Sequence, residues 1–163
     1  MTMTAATPVS ETTPIAVGSV APDFTLPDQD KKEFKLSQFK GQKPVVLFWY
    51  PLDWSPTCSK ENACFTSDYS RFGAYAEVAA ISIDSTWSHK AWQEKMGLKH
   101  RLLSDMHRTV TKDYGLFLPA ANISQRATVI IDKQGRVAWV KVEKDITQER
   151  DYHEVERQLQ KLA

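Results

Sequence analysis

Residues 44–58 read PVVLFWYPLDWSPTC, and this stretch decides the fold. The run over residues 44–50 is continuously apolar and rich in β-branched and aromatic residues, which predicts a strand covered on both faces. After the loop PLDWSPT, three aromatic residues recur at spacings of four and three: Phe65, Tyr69 and Phe72. This spacing is typical of an amphipathic helix. Cys58 is therefore expected in the first turn of a helix that follows a central strand.

Strand and helix signals continue on both sides of this stretch. Short alternating runs at residues 24–26 and 34–36 flank the polar sequence DQDKK, which predicts a β-hairpin. Residues 78–83 predict a second buried strand. Residues 84–86 offer N-cap oxygens for a helix that ends at Gly97. The middle of the chain is thus predicted to alternate strand, helix, strand, helix.

The C-terminal third predicts a short helix, a hairpin and a last helix. The short helix lies near residues 107–114, and the runs ATVIID and RVAWVKV flank the turn signal KQG. A helix over residues 149–162 closes the chain. We therefore predict an α/β fold, a three-layer sandwich with a central mixed β-sheet, helices on both faces and an N-terminal β-hairpin. The thioredoxin-like fold is one such arrangement.

Length and composition are those of one folded domain. The 163 residues suffice to bury a core without disulfides, and we expect a single domain over residues 15–163. Residues 1–14 contain almost no large apolar side chains, which predicts a disordered N-terminal tail.

Charge and hydropathy narrow the partners and the location. Lys and Arg total 21 against 20 Asp and Glu, so no global field attracts nucleic acid or an anionic membrane, and neither partner is expected. The chain has no apolar run of about 20 residues and its start lacks the pattern of a secretory signal. We therefore expect a cytoplasmic location.

Cys58 and Cys64 are the only cysteines of the chain. In a reducing compartment a close pair is more often catalytic, redox-active or metal-binding than structural. A cysteine at the start of a helix places its sulfur near unsatisfied N–H groups and the positive end of the helix dipole, which favours the reactive thiolate. On position alone, a small buried apolar residue is an equally good interpretation of Cys58.

The loop before Cys58 resembles the peroxidatic loop of the peroxiredoxin family, the alkyl hydroperoxide reductase and thiol-specific antioxidant proteins. A proline, a hydroxyl residue four positions later and a cysteine three positions after that stand here as Pro51, Ser55 and Cys58. The resemblance implies that the proline shields the thiolate, the hydroxyl bonds the peroxide, and the cysteine attacks its terminal oxygen. The family usually has Thr at the hydroxyl position, and Ser55 lacks the methyl group that restricts χ1.

The resemblance runs from about Val17 to about Val142 and implies two further site residues. Arg126 would reach the cysteine sulfur and the peroxide oxygens, where a guanidinium stabilises both negative charges. Glu61 would orient that arginine, although a solvent-exposed glutamate in the first helical turn is an equally good interpretation. The implied protein is a thiol-dependent peroxidase for hydrogen peroxide and organic hydroperoxides, with a thioredoxin-like fold, no bound cofactor and commonly a homodimer.

Reuse of an oxidised Cys58 requires a second thiol, and Cys64 is the internal candidate. Q-type, bacterioferritin-comigratory members use a second cysteine five residues after the first, whereas the spacing here is six. An ungapped match to one-cysteine, alkyl hydroperoxide reductase E-like members makes Cys64 an ordinary helix residue. We favour the second match slightly, with an external thiol such as thioredoxin, a glutaredoxin-like protein or a low-molecular-weight thiol.

Two other functions suit a thioredoxin-like fold. A dithiol redox partner would carry Cys-x-x-Cys, but five residues separate the two cysteines here. A metal-binding protein would need clustered ligands, and the four histidines are scattered along the sequence: His89, His100, His107 and His153. Both are therefore retained only as alternatives without peroxidase activity.

Overall fold

The structure is a computed structural model that describes residues 10–162, excluding the side chains of residues 67 and 68. The strands are β1 (Thr25–Pro27), β2 (Glu33–Lys35), β3 (Val45–Trp49), β4 (Glu77–Ser82), β5 (Arg101–Ser104), β6 (Phe117–Leu118), β7 (Ile123–Ser124), β8 (Ala127–Ile131) and β9 (Val137–Val142). The helices are α1 (Pro56–Gly73), α2 (Thr86–Met96), α3 (Thr109–Asp113) and α4 (Tyr152–Gln160). A 3-10 turn covers Leu36–Phe39.

A five-stranded mixed sheet in the order β5-β4-β3-β8-β9 forms the centre of the fold. Strand β3 pairs in parallel with β4 and antiparallel with β8. All five residues of β3 are buried, because the strand has neighbours on both edges and cover on both faces. The central strand and the mixed sheet predicted from the sequence are therefore confirmed.

Helices α1, α2 and α4 cover one face of the sheet. Right-handed crossovers from β3 to β4 and from β4 to β5 advance in the same direction, so they place α1 and α2 on the same side. The helices pack there in one apolar cluster that includes Phe65, Phe72, Trp92, Val155 and Leu159.

The N-terminal hairpin and α3 cover the other face. Strands β1 and β2 pair antiparallel and form the predicted hairpin, in which Leu26 lies opposite Phe34. Phe34 packs with Val110 and Tyr114 in a second apolar cluster on this side of the sheet. Helices do lie on both faces, but the second face carries only the five-residue α3, and the hairpin supplies most of its cover.

The predicted ends of α2 are confirmed. The Ser85 hydroxyl accepts the Ser88 N–H as the N-cap, and Gly97 ends the helix with a left-handed φ of 64°. The last helix begins at Tyr152 rather than at residue 149, because Asp151 is its N-cap. The edge strand β5 and the short β6–β7 pair were not predicted. No helix within the described residues is long and apolar enough to cross a membrane.

The predicted N-terminal tail lies only partly within the described residues, because residues 1–9 are outside them. The Phe117 N–H donates to the Glu11 carbonyl at 3.0 Å, and the Ile15 N–H donates to the Tyr114 carbonyl at 3.1 Å. Backbone hydrogen bonds therefore join Glu11 and Ile15 to the segment after α3, and the disordered tail over residues 1–14 stays a prediction. The boundaries of the domain stay a prediction.

Replacing Gly115 by Ala tests this N-terminal contact. The residue has a φ of +68°, and an added Cβ would lie 1.7 Å from the Thr13 carbonyl oxygen. Gly97→Ala is the matched control, since its φ is +64° and nothing lies within 4 Å. We expect Gly115→Ala to lower the free energy of unfolding by about 2 kcal/mol more than the control, because two backbone hydrogen bonds are lost. Equal losses in urea unfolding would contradict the packing.

His100 is a buried titratable group at the start of β5. Its Nε2 lies 2.8 Å from the Asn62 side-chain oxygen, and the ring packs edge-on against Phe65 at 4.9 Å. Burial lowers the pKa of His100 from 6.5 to about 3, and the positive charge of Arg150 adds to the effect. The folded protein therefore keeps this ring neutral at pH values where the unfolded chain protonates it.

This difference predicts a loss of stability in mild acid. Because only the unfolded chain binds the proton between pH 6.5 and about 3, the contribution of His100 is complete above pH 6.5 and falls as the pH drops. From pH 7 to pH 5 the wild type should lose about 2 kcal/mol more unfolding free energy than His100→Gln. Chemical denaturation at both pH values measures it, and parallel losses would show that His100 does not titrate in this way.

Candidate active site

The loop between β3 and α1 brings Cys58 to the start of the helix. Ser55 is the N-cap by its backbone, and its carbonyl accepts the Ser59 N–H at 2.9 Å. Pro56 is the first helical residue, where a missing N–H costs nothing. Cys58 is thus the third residue of α1, in the first turn as predicted.

Cys58 is completely buried and contacts Arg126 directly. The Nη2 group of Arg126 donates to the Cys58 Sγ at 3.0 Å. A guanidinium and the positive end of the α1 dipole therefore meet at one sulfur atom. This arrangement stabilises negative charge on the sulfur, the form in which a cysteine is a nucleophile.

Arg126 stands just before β8 and is itself 1% exposed. Its Nη1 donates to Glu61 Oε1 at 2.7 Å, and its Nε donates to the Ile146 carbonyl at 3.0 Å. Burial disfavours the guanidinium charge, but the negative charges of Glu61 and Cys58 outweigh it and raise the pKa of Arg126. Every nitrogen of the guanidinium thus has a hydrogen-bond partner, and the group is held in one orientation.

Glu61 is 3% exposed, so it is not the solvent-facing glutamate of the alternative interpretation. Its Oε1 accepts from both Arg126 and Arg150, the latter at 2.9 Å from Nε. Its Oε2 accepts the Arg150 backbone N–H at 2.9 Å. The carboxylate therefore connects the arginine at the sulfur to a second buried arginine.

Arg150 was missed by the reasoning from sequence. Its Nη1 donates to the Ala127 carbonyl and the Thr128 hydroxyl, and its Nη2 donates to the Trp49 carbonyl at 2.7 Å. The residue fixes Glu61 against the ends of β3 and β8. A lone arginine near a terminal helix carries no local signal for such a place, because arginines are mostly exposed.

The other two predicted residues of the loop lie close to Cys58 in the chain. Pro51 is buried two residues after the end of β3, and Ser55 is partly exposed at the helix start. The Ser55 hydroxyl donates to the Leu52 carbonyl at 3.2 Å. That bond fixes the position of the Ser55 hydroxyl oxygen at the start of α1 and leaves the oxygen able to accept a further hydrogen bond.

Asp53 anchors the loop and was not singled out from the sequence. Its carboxylate accepts from the Tyr50 hydroxyl at 2.7 Å, the Ser88 hydroxyl at 2.8 Å and His89 Nδ1 at 2.8 Å. His89 Nε2 lies 3.1 Å from the Leu103 carbonyl. Both ring nitrogens of this buried histidine thus face oxygen acceptors, and the loop is tied to α2 and β5.

A second set of bonds holds the middle of the loop. The Asp53 backbone N–H donates to Asp84 Oδ2 at 2.8 Å, and the Ser82 hydroxyl donates to the same oxygen at 2.7 Å. Trp54 follows with a left-handed φ of 69°, and its indole N–H donates to the Ser88 hydroxyl at 3.3 Å. A left-handed tryptophan is strained, so these bonds offset a conformational cost in the loop.

Cys64 lies on the same helix as Cys58 but is exposed. Six residues of helical rise separate their Cα atoms by about 9 Å, beyond the roughly 7 Å that a disulfide spans. Helix α1 as it stands therefore keeps the two sulfurs apart.

The described residues contain no group of three or more His, Cys, Asp or Glu side chains that would hold a metal ion. His89 and His100 are each buried in separate hydrogen-bonded pairs, with Asp53 and Asn62 respectively. His107 and His153 are exposed. The structure therefore gives the metal-binding alternative no site in this part of the chain.

Comparison with known proteins identifies relatives across most of the chain. The model of the AhpC/TSA family matches residues 17–140. Peroxiredoxin Q of Triticum aestivum is 43% identical over 130 residues, which are 77% of this chain and 58% of that protein. The 2-Cys peroxiredoxin BAS1 of Hordeum vulgare is 38% identical over 73% of this chain and 62% of its own length. The chain thus spans about three fifths of the length of these relatives.

Solved structures confirm the thioredoxin-like arrangement predicted from the sequence. The reduced 2-Cys peroxiredoxin of Plasmodium vivax superposes with a TM-score of 0.82 at 32% identity, over 90% of this chain and 81% of that one. Peroxidoxin BcpB of Mycobacterium tuberculosis gives 0.79 at 27% identity, over 90% and 97%. The central sheet and its helices are therefore those of the peroxiredoxins.

The prediction of a cytoplasmic location is contradicted by this comparison. The peroxiredoxin Q relatives from Triticum aestivum, Suaeda salsa and Gentiana triflora are chloroplastic proteins by name. Charge balance and the lack of a long apolar run do not distinguish one aqueous compartment from another, so the composition could not support that prediction.

The relatives also bear on the two subgroups considered from the sequence. Several of them are Q-type peroxiredoxins at 42% to 43% identity. The sequence alone had slightly favoured the other subgroup, the one-cysteine members, because the two cysteines here are six residues apart rather than five. Because the family model covers most of the chain and a relative at 43% identity covers 77% of it, the chain belongs to the AhpC/TSA family, the peroxiredoxins.

Proposed function

We propose that the protein is a thiol-dependent peroxidase that reduces hydroperoxides through Cys58. The observation that carries the proposal is the fully buried Cys58 sulfur at a helix start, with the Arg126 guanidinium 3.0 Å away. Few structural roles need a charged group to be buried against a cysteine, whereas a peroxide-reacting thiolate needs it.

In the proposed step the Cys58 thiolate attacks the terminal oxygen of a hydroperoxide. A sulfur–oxygen bond forms, the oxygen–oxygen bond breaks, and the leaving oxygen takes a proton to become an alcohol or water. Cys58 becomes a sulfenic acid. Arg126 and backbone N–H groups of the first turn of α1 donate to the oxygens where charge develops. The Ser55 hydroxyl donates its own hydrogen to the Leu52 carbonyl, so its oxygen accepts the O–H of the peroxide. Pro51 shields the sulfur from water.

The substrates that we propose are hydrogen peroxide and organic hydroperoxides, and the proposed assembly is a homodimer. The attacked terminal oxygen is common to both substrate classes, since each carries an O–OH group. Relatives that carry the name peroxiredoxin support this class of substrate.

A thiol must then return Cys58 to its reduced form. The sulfenic acid condenses with a thiol to give a disulfide and water. We propose that this thiol is external, from thioredoxin, a glutaredoxin-like protein or a low-molecular-weight thiol, or alternatively is Cys64. In either case Cys58 must leave its buried position, because its sulfur has no exposed surface.

A dithiol redox partner or metal-binding protein without peroxidase activity is not favoured. The two cysteines differ in burial and stand six residues apart on one helix, so they do not form the paired site that dithiol exchange needs. The described residues also lack a metal-binding group.

Intact mass and thiol counting after one equivalent of hydrogen peroxide test the proposal. We expect Cys58→Ser to leave the peroxide unconsumed, because no other cysteine lies beside Arg126. In the wild type, a gain of one oxygen at Cys58 that persists in Cys64→Ala would identify an external resolving thiol. Loss of both thiols with two hydrogens would identify Cys64 instead. Peroxide consumption by Cys58→Ser would refute the assignment.

The buried arginines give a graded prediction. Arg126→Gln should lower the second-order rate constant for peroxide about 100-fold to 1,000-fold, leaving the contribution of the backbone donors. Arg150→Gln should lower it about tenfold, because Glu61 loses one of the partners that fix its position. The control is Arg157→Gln, whose side chain is 62% exposed on α4.

The rates are compared in single turnovers, at a temperature where thermal unfolding shows each variant to be folded. An Arg150→Gln rate equal to that of the Arg157→Gln control would show that Arg150 supports stability alone.

A further inference from the structure

Asn62 and His100 form a hydrogen-bonded pair beside the first turn of α1. The Asn62 side-chain nitrogen donates to the Cys58 backbone carbonyl at 2.8 Å. The Asn62 side-chain oxygen lies 2.8 Å from His100 Nε2. Both residues are buried, at 4% and 1% exposure. We call this pair the Asn62–His100 clamp, because it joins the turn that carries Cys58 to the start of β5.

The hydrogen-bond pattern fixes the direction of each bond. Since the Asn62 amide nitrogen donates to the Cys58 carbonyl, its oxygen faces the ring, and the His100 Nε2 must carry the hydrogen. His100 Nδ1 then has no hydrogen-bond partner in the described part of the chain. A buried nitrogen without a partner costs free energy.

His100 lies in an aromatic cluster, where a residue without a polar atom would avoid this cost. Its ring packs edge-on against Phe65, which in turn contacts Phe48 and Phe72. A phenylalanine at position 100 would pack in the same cluster with no unpaired nitrogen. Unlike phenylalanine, the histidine bonds to Asn62, and Asn62 in turn bonds to the Cys58 backbone carbonyl.

The clamp is separate from the contacts that reduce peroxide. Arg126 bonds to the Cys58 sulfur and Glu61 orients Arg126, whereas the clamp bonds to the Cys58 main chain. Its loss removes none of the hydrogen-bond donors that hold the peroxide oxygens, so the rate of attack on peroxide should change little. It should instead ease the movement of the first turn, which a resolving thiol requires because the sulfur is buried.

We infer that Asn62 and His100 are positioning residues that set how long the Cys58 sulfenic acid stays buried before a thiol reaches it. The inference rests on the proposed peroxidase function. While the sulfenic acid stays beside Arg126 and the other groups that hold a hydroperoxide, a second hydroperoxide can convert it to a sulfinic acid, releasing water or an alcohol. A thiol must bring its own sulfur to the Cys58 sulfur, which requires the first turn to move. The clamp thus determines what fraction of the Cys58 sulfenic acid is reduced by a thiol and what fraction is oxidised irreversibly to sulfinic acid.

The experiment separates the two steps in Asn62→Ala and His100→Phe. Stopped-flow mixing with hydrogen peroxide measures sulfenic acid formation, and a second mixing with dithiothreitol measures its removal. We expect formation rates within about twofold of the wild type and removal about tenfold faster, in keeping with the loss of one buried hydrogen bond. Sulfinic acid, measured by mass at excess peroxide with dithiothreitol present, should fall correspondingly.

Three further comparisons make the result specific. His100→Gln keeps a donor for Asn62 and should behave as the wild type, and His107→Phe changes an exposed histidine and should do the same. Hydrogen exchange at the amides of residues 58–62 should accelerate in Asn62→Ala and His100→Phe only.

The outcomes distinguish this inference from the proposed function. If the wild type and all variants form the sulfenic acid and lose it to dithiothreitol at the same rate, the inference is overturned and the peroxidase function stands. Slowing of both steps together in Asn62→Ala and His100→Phe would also overturn it, since the pair would then support structure alone. Absence of sulfenic acid in the wild type would overturn the proposed function, and the inference with it.

Discussion

Arg126 and Arg150 converge on the buried carboxylate of Glu61, and the geometry at Cys58 depends on that contact. The two guanidinium groups share this one carboxylate as an ion-pair partner, and one of them lies beside the Cys58 sulfur. Because buried charges are tolerated only when they are paired and fully hydrogen-bonded, each member constrains the others. Arg150 therefore fixes Glu61, and Glu61 in turn fixes the Arg126 guanidinium beside the sulfur.

This cluster also joins elements that are far apart in the chain. Arg150 bonds to the last residue of β3 and to the start of β8, while Glu61 belongs to α1. The carboxyl end of the central strand β3, where the chain leaves the sheet, is thereby held by residues from the C-terminal region. The fold positions the sulfur at an edge where a strand, a helix and the segment before α4 meet.

The sequence allowed prediction of the parts that local patterns encode. The buried strand over residues 44–50, the hairpin and the caps of α2 follow from hydropathy and cap chemistry, and a fixed spacing marks Pro51, Ser55 and Cys58. Arg150 and Asp53 could not be found in this way, because their partners lie 89 and 36 residues away in Glu61 and His89. The short edge strand β5 has too few residues to show a period. Pairing across such distances is a property of the packed chain.

The anchoring of Asp53 has a consequence for the independence of the two halves of the site. Its carboxylate bonds to Tyr50, Ser88 and His89, and none of these residues is on α1. The loop before α1 is thus held by α2 and the residue after β3, whereas the turn that carries Cys58 is held by contacts of its own. Substitutions on α2 would therefore change the position of the loop, and substitutions on α1 would change the mobility of the Cys58 turn. Ser55 lies at the boundary between these two parts of the site.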